Sequence, residues 1–161
     1  NQQGNAGAPN RVAFNAAAGV AVESGSSNGI SQNSIHGNVG RGIELGPTGN
    51  DDIATPVITQ VEELPTGVRV TGSLASWPTA TFDVEFFANE ADGSSGRYFL
   101  GAQQVTTNSA GQATFTVDLP TPPSGANFIT ATSTDPSENT SEFSAAVSLL
   151  GLQAQQLLTL I

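Results

Sequence analysis

Two segments near the start of the chain repeat the same pattern at an offset of 23 residues, since residues 10–22 align with residues 33–45 without a gap. The aligned pairs are Asn10/Asn33, Asn15/Asn38 and Gly19/Gly42, which are identical, and Val12/Ile35, Val20/Ile43 and Val22/Leu45, which are apolar in both. A fixed period of this size is typical of a solenoid, in which each unit stacks on the next. The repeat therefore predicts stacked β coils, with Val12 over Ile35 and Val20 over Ile43.

The residue types in the repeat fit such coils. Inward aliphatic side chains fill a core, Asn occupies left-handed corners and can bond its amide from coil to coil, and Gly turns the chain. Two coils cannot bury a core alone. We therefore expect the open end of the repeat to be covered by a copy of the chain or by an N-terminal β-helix region missing from this sequence.

Composition narrows the possible partners and the location. The chain has 161 residues, a formal net charge of −10, no Lys, four Arg and no Cys. Nucleic acids and anionic membranes are bound through cationic patches, so this charge argues against both. No apolar run reaches the roughly 20 residues that a transmembrane helix needs, which argues against membrane insertion. An acidic chain that begins without Met and lacks disulfides fits a processed or partial extracellular protein.

The second part of the sequence has a different pattern, with short β-rich runs separated by turn signals. The runs are Val57–Leu64, Val68–Leu74, Thr81–Asn89, Tyr98–Thr107, Ala113–Leu119, Asn127–Ser133 and Glu142–Leu149. This spacing predicts a seven-stranded antiparallel immunoglobulin-like β-sandwich. Alternation along the runs predicts a core of Phe82, Val84, Phe86, Phe115, Val117 and Phe128.

These patterns divide the chain into three parts. We predict terminal coils of a parallel β-helix over residues 1–50, the sandwich over residues 56–148, and an apolar interaction tail over residues 149–161. The tail carries no charged side chain. Its predicted subunit contacts are Leu152, Leu157, Leu158, Leu160 and Ile161, and its pattern allows either a strand added to a neighbour's sheet or a helix.

Two resemblances support this division. The Asn-x-Ile-x-x-Asn and Gly-Ile/Val-x-Leu/Val spacing of residues 10–45 resembles the right-handed parallel β-helix repeats of the pectate-lyase-like superfamily. Residues 81–89, 98–101, 111–115 and 128–143 resemble the β-sandwich that follows such repeats in large secreted bacterial surface proteins. The resemblance implies an all-β fold and an extracellular or cell-surface location, and it implies architecture more than chemistry.

Catalytic signals are sparse. β-helix lyases and hydrolases collect carboxylates or basic residues on one face over several coils. The repeat register places Glu23 opposite Gly46 and Glu44 opposite Ala21, so no carboxylates stack. His36 is the single His, and we interpret it as an exposed structural residue. No nucleophile elbow, phosphate loop or His/Cys metal spacing is present. The sequence therefore predicts a protein that is not an enzyme.

Two kinds of binding site are weaker expectations. Acidic residues in turns, Asp51, Asp52, Glu90, Asp92 and Asp135, are candidate calcium ligands, although turn capping is the better explanation for them. Trp77, Phe87 and Tyr98 are the aromatic residues that could contact a glycan. Trp77 is also expected to plug one end of the sandwich.

The functional prediction follows from these parts. We expect a non-catalytic structural module of an extracellular or cell-surface protein that self-associates into a fibre or larger assembly through the open coil end and the tail. The alternative is a glycan-binding accessory module of a β-helix carbohydrate-active enzyme. Neither hypothesis requires a cofactor, and calcium is the one cofactor for which the sequence offers candidate ligands.

Overall fold

The computed structural model describes residues 9–149, and within them the protein is all-β apart from a 3-10 turn at Asn50–Asp52. The strands are β1 (Arg11–Ala13), β2 (Val20–Gly25), β3 (Ser34–His36), β4 (Ile43–Gly49), β5 (Val57–Leu64), β6 (Gly67–Ala75), β7 (Thr81–Asn89), β8 (Tyr98–Thr106), β9 (Gln112–Pro120), β10 (Phe128–Thr134) and β11 (Val147–Ser148). No helix among these residues is long and apolar enough to cross a bilayer.

The repeated segments form two parallel strand pairs, β1 with β3 and β2 with β4. The register places Val12 opposite Ile35 and Val20 opposite Ile43, as the 23-residue offset predicts. After Val22 the register shifts at a bulge. We call residues 10–25 the first repeat unit, residues 26–32 the connector and residues 33–49 the second repeat unit.

The remaining strands form two antiparallel sheets, one ordered β5-β6-β9 and the other β11-β10-β7-β8. We call residues 57–148 the antiparallel region. One hydrophobic cluster draws members from both sheets, including Val61, Val70, Phe86, Phe115 and Ile129. The rings of Phe86 and Phe115 meet edge to face with centroids 5.6 Å apart. The two sheets therefore share one core.

The first six predicted strands of this region agree with the structure to within one residue at each end. The seventh, Glu142–Leu149, was wrong, because only Val147–Ser148 is a strand. Upstream of it, the hydroxyls of Ser141 and Ser144 accept hydrogen bonds from the backbone N–H groups of Ser133 (3.0 Å) and Ala131 (2.9 Å). Side-chain oxygens replace part of the backbone ladder along β10, so this segment is not a regular strand.

The predicted core is largely correct. Phe82, Val84, Phe86 and Phe115 are buried, whereas Val117 and Phe128 are only partly buried. The opposite face of β7 does not follow simple alternation, because Glu85 and Phe87 are buried too. A strand buried on both faces must be covered by two layers, and the second layer is the repeat region.

Candidate functional site

The second repeat unit is paired along both of its edges. Strand β3 pairs with β1 on one side and forms an antiparallel bridge to Gly96, in the β7–β8 loop, on the other. Ile35 N–H donates to the Gly96 carbonyl at 2.8 Å, and Gly96 N–H donates back to the Ile35 carbonyl at 2.8 Å. Gly42 N–H donates to the Ser94 carbonyl at 2.7 Å. The β7–β8 loop thus pairs with the edge of the second unit that the first unit leaves free.

Side-chain oxygens of the antiparallel region satisfy four more backbone N–H groups of the connector and the second unit. The donor–acceptor pairs are Ser27 N to Asn139 Oδ1 (2.7 Å), Ile30 N to Thr140 Oγ1 (2.9 Å), Gln32 N to Glu85 Oε2 (2.9 Å) and Leu45 N to Glu142 Oε1 (3.1 Å). Unpaired buried N–H groups are costly, so these acceptors stabilise the contact. We call this set of contacts the junction.

An apolar cluster lies behind these hydrogen bonds. Its buried members are Val22, Ile30, Ile35, Ile43, Phe87 and Phe143. Phe87 and Phe143 meet edge to face with centroids 5.4 Å apart. A Cβ at Gly96 would lie 2.4 Å from Cε1 of Phe143, so only glycine permits the bridge to Ile35 at this distance. The aliphatic side chains of the repeat and the aromatic rings of the antiparallel region therefore share one small core.

Glu85 is the buried carboxylate of the junction, with 5% of its surface exposed. Its Oε1 accepts from Ser31 Oγ at 2.5 Å and its Oε2 from the Gln32 backbone at 2.9 Å. Burial raises the pKa of Glu85, the hydrogen bonds from Gln32 and Ser31 oppose that rise, and the nearby Asp83 charge adds to it. An acidic group with a raised pKa can mark a catalytic site. Here both of its oxygens are used to anchor the connector.

Asparagine ladders join the stacked units at three corners. In each, the upstream Asn donates both its backbone N–H and its side-chain amide to Oδ1 of the downstream Asn. The pairs are Asn10 to Asn33 (3.1 and 3.1 Å), Asn15 to Asn38 (3.0 and 2.9 Å) and Asn28 to Asn50 (3.1 and 3.0 Å). The first two pairs follow from the repeat. The third has an offset of 22 residues and was not predicted.

His36 is buried, with 7% of its surface exposed, so the expectation of an exposed histidine was wrong. Phe14 adopts a positive φ of 62° and places its ring edge-on to His36, with centroids 5.6 Å apart. Gly37, the equivalent residue one repeat later, has no Cβ to obstruct that ring. Burial lowers the pKa of His36, and the charges of Arg97 and Arg11 lower it further, against an opposing effect of Glu90.

Two arginines lie on the surface beside His36. Arg11 is opposite Ser34 in the strand register, and the hydroxyl of Ser34 donates to the Arg97 carbonyl at 2.7 Å. Arg97 pairs with Glu90 at 2.5 Å, and its guanidinium lies 5.1 Å from the centroid of Tyr98. Arg11 forms no ion pair within residues 9–149, and its guanidinium lies 5.5 Å from the ring of Phe14. We call Arg11, Phe14, His36, Arg97 and Tyr98 the arginine–aromatic cluster.

The structure does not unite the predicted glycan contacts. Phe87 is buried in the junction, so it cannot belong to an exposed platform. Trp77 is 51% exposed, which contradicts its expected role as a plug. Tyr98 lies opposite Ala88, at the other end of the β7–β8 hairpin from Trp77, and its hydroxyl donates to Glu90 at 2.9 Å. A strand length of about 20 Å separates Trp77 from Tyr98.

The acidic residues considered for calcium remain dispersed. Within residues 9–149, no group of three or more His, Cys, Asp or Glu side chains could hold a metal ion. Asp135 accepts hydrogen bonds from the N–H groups of Ser137 (2.8 Å) and Asn139 (2.9 Å), which is turn capping. Glu90 bonds Arg97 and Tyr98. Asp51, Asp52 and Asp92 are exposed.

The remaining predicted contacts, Leu152, Leu157, Leu158, Leu160 and Ile161, lie outside the described residues. No protein-family model matches the chain, and no curated protein matches it. The geometry of the junction is therefore the main guide to function.

The junction was largely missed by reasoning from sequence. One signal was present: Phe86 and Phe87 are adjacent, so one of the two large rings must lie on the face of β7 opposite the core. A strand with apolar residues on both faces indicates two covering layers. Nothing local in the sequence indicated that Asn139, Thr140 and Glu142 would turn their side chains toward the repeat.

Proposed function

We propose that this chain is a non-catalytic structural module of an extracellular or cell-surface protein, in which an immunoglobulin-like β-sandwich closes the C-terminal end of a short right-handed parallel β-helix. The reciprocal bonding of Ile35 and Gly96 carries this proposal, since it gives the last repeat unit a neighbour that is not itself a repeat. A solenoid needs such a terminal cap, because its last unit otherwise exposes unpaired backbone groups and apolar cross-section.

Two further observations support a cap. Acceptors from several separate elements of the antiparallel region converge on the junction: Glu85 on β7, Ser94 and Gly96 in the β7–β8 loop, and Thr140 and Glu142 after β10. The apolar cluster beneath them joins aliphatic side chains of the repeat region to the rings of Phe87 and Phe143. Contacts of this kind order the last repeat unit. In this proposal self-association uses the C-terminal tail, and the opposite end of the repeat is left for another partner.

Hydrogen exchange tests the capping role. The amides of Ile35, Gly42 and Gln32 should be strongly protected in the parent chain. Gly96→Val should raise their exchange rates by about tenfold or more, because the new side chain cannot fit against Phe143, while β6 and β9 stay protected. Ser94→Ala is the matched control, since it keeps the carbonyl that Gly42 uses. Unchanged protection in the Gly96 variant would refute the cap.

The cellular location has a separate test. Fractionation of the source cells, followed by immunodetection of this chain, should recover it outside the cytoplasm. Recovery in the cytoplasmic fraction would contradict the extracellular part of the proposal and leave the cap unaffected.

A second candidate function is glycan binding, at the arginine–aromatic cluster rather than at the three aromatics first considered. Arg11 has no carboxylate partner among residues 9–149, and the ring of Phe14 is 73% exposed. The two together favour a ligand that combines a carboxylate with an apolar sugar face. A glycan array should then show binding that Arg11→Ala abolishes and Arg69→Ala retains. No binding by the parent chain would remove this candidate.

A further inference from the structure

The three asparagine ladders all have the same direction. In each one the upstream residue supplies two donors, a backbone N–H and a side-chain amide, and the downstream residue supplies one acceptor, Oδ1. The face that one unit turns downstream is therefore a donor face at its Asn corners, and the face that the next unit turns upstream is an acceptor face. The amides of Asn38 and Asn50 also donate back to the Val12 and Asn28 carbonyls, at 3.2 and 2.9 Å, but the direction at Oδ1 is the same in all three ladders.

This direction determines what the first repeat unit presents at its upstream edge. The amides of Asn10 and Asn15 already donate to Asn33 and Asn38. Within residues 9–149 no donor reaches Oδ1 of either Asn10 or Asn15. Strand β1 pairs only with β3, and β2 only with β4, among the described strands. The upstream edge thus combines two corner acceptors with two unpaired strand edges.

The apolar residues at this edge are incompletely covered. Ile35 and Ile43 of the second unit are each 1% exposed, whereas Val12 and Val20, their partners in the first unit, are only partly buried. The same side-chain column is therefore closed at the junction and open at the upstream edge. A further unit on this edge would bury these two valines as the first unit buries the two isoleucines.

A second copy of the chain does not fit this edge. Within the part of the chain that the structure describes, the donor face of matching direction belongs to the second unit, and the junction occupies it. Two copies meeting first unit to first unit would oppose the Oδ1 acceptors of Asn10 and Asn15 to each other. In that arrangement no asparagine amide of the ladder direction would reach these acceptors, and a buried acceptor without a donor costs free energy. The occupant must therefore bring its own donor face.

We propose that the upstream edge of the first repeat unit binds one more unit of the same 23-residue repeat, joined on the N-terminal side of the polypeptide, whose corner asparagines donate to Oδ1 of Asn10 and Asn15. This inference rests on the proposed function, because it assumes that the junction is the terminal end of the repeat. The proposed occupant is a parallel β unit with asparagine at two corners, and it is not a second copy of the chain.

The test is a chain in which residues 1–9 are replaced by a copy of residues 10–32. The copy leads into Asn10 in the register in which residues 10–32 lead into Asn33. By analogy with the bonds from Ser34 N to Asn10 O (2.8 Å) and from Val39 N to Asn15 O (3.0 Å), the amides of Arg11 and Ala16 should become bonded to the added unit. Their exchange rates should fall by about tenfold or more relative to the parent chain.

Two control chains sharpen the result. One carries the copy with alanine at its two corner asparagines, and it should protect Arg11 and Ala16 less. The other carries the copied residues in scrambled order, and it should give no protection. Unchanged exchange at Arg11 and Ala16 in the extended chain, or equal protection by the scrambled extension, would overturn the inference. Failure of the proposed function would instead appear in the parent chain, as fast exchange at Ile35 and Gly42.

Discussion

The first and second repeat units share one sequence pattern but differ in their surroundings. Val12 and Val20 are partly exposed and Phe14 is 73% exposed, whereas Ile35, Ile43 and Phe87 at the junction are at most 2% exposed. Val12 and Val20 lie directly opposite Ile35 and Ile43 in the paired strands. The difference in exposure therefore arises from what covers each unit. A repeat pattern therefore specifies how units stack, and the neighbour at each end determines how much each unit contributes to stability.

The largest expected contrast is between two phenylalanines. Phe87→Ala should lower the free energy of unfolding by about 3–5 kcal/mol, because it opens a cavity between the second unit and β7. Phe14→Ala should change it by no more than about 0.5 kcal/mol, since that ring is largely exposed. Urea denaturation followed by circular dichroism measures both. Equal losses of unfolding free energy in the two variants would show that the two units contribute equally to stability.

The asparagine ladders offer a second contrast. Asn33→Ala should cost about 1–3 kcal/mol, because Asn33 is buried and its removal leaves the Asn10 backbone N–H without its acceptor. Asn10→Ala keeps that N–H and should cost about 0.5–1.5 kcal/mol. Thermal unfolding of the two variants against the parent provides the comparison. A larger loss of stability in the Asn10 variant would mean that the donating amide of Asn10 contributes more than the accepting oxygen of Asn33.

Glu85 makes the stability of the junction depend on pH. Its pKa is raised in the folded state by burial, so the folded state holds the proton more tightly than the unfolded state. The resulting stabilisation is fully present below the pKa that Glu85 has in the unfolded chain. It is lost as the pH rises through the higher pKa that Glu85 has in the folded protein. Glu85→Gln keeps an acceptor for Ser31 or Gln32 and removes the titration.

Unfolding free energy measured from mildly acidic to neutral pH should therefore decline less in the Gln variant than in the parent. Glu23→Gln is the control, since Glu23 is an exposed carboxylate on β2. A parent and a Glu85 variant with parallel pH profiles would rule out this role for the carboxylate.

Among contacts of the junction, the smallest expected effect belongs to the ion pair between Arg41 and Glu142, whose side chains are 59% and 22% exposed. Because the Arg41 guanidinium is largely solvated, Arg41→Gln should cost no more than about 1 kcal/mol, and added salt should reduce that cost. Denaturation at low and high ionic strength checks it. A salt-independent loss of several kcal/mol would mean that Arg41 packs against the junction rather than acting through its charge.

Much of the fold could be predicted from the sequence, because local periodicity encodes it. Alternation and turn residues located β5 to β10, and the 23-residue offset predicted the pairing of Val12 with Ile35 and of Val20 with Ile43. Period and register depend on residues close in sequence or on identical spacing in two segments, and both can be read from one chain. The all-β class follows from the same information.

Only the tertiary structure decided what the second unit meets. Glu85 bonds Gln32 across 53 positions, and Asn139 bonds Ser27 across 112. A buried carboxylate and a solvent-facing one look alike in an alternating strand, and a corner asparagine that caps its own turn looks like one that caps another segment. The difference lies in desolvation and in acceptor geometry, which arise only when distant segments pack. For that reason the repeat was visible in the sequence, and its junction with the antiparallel region was not.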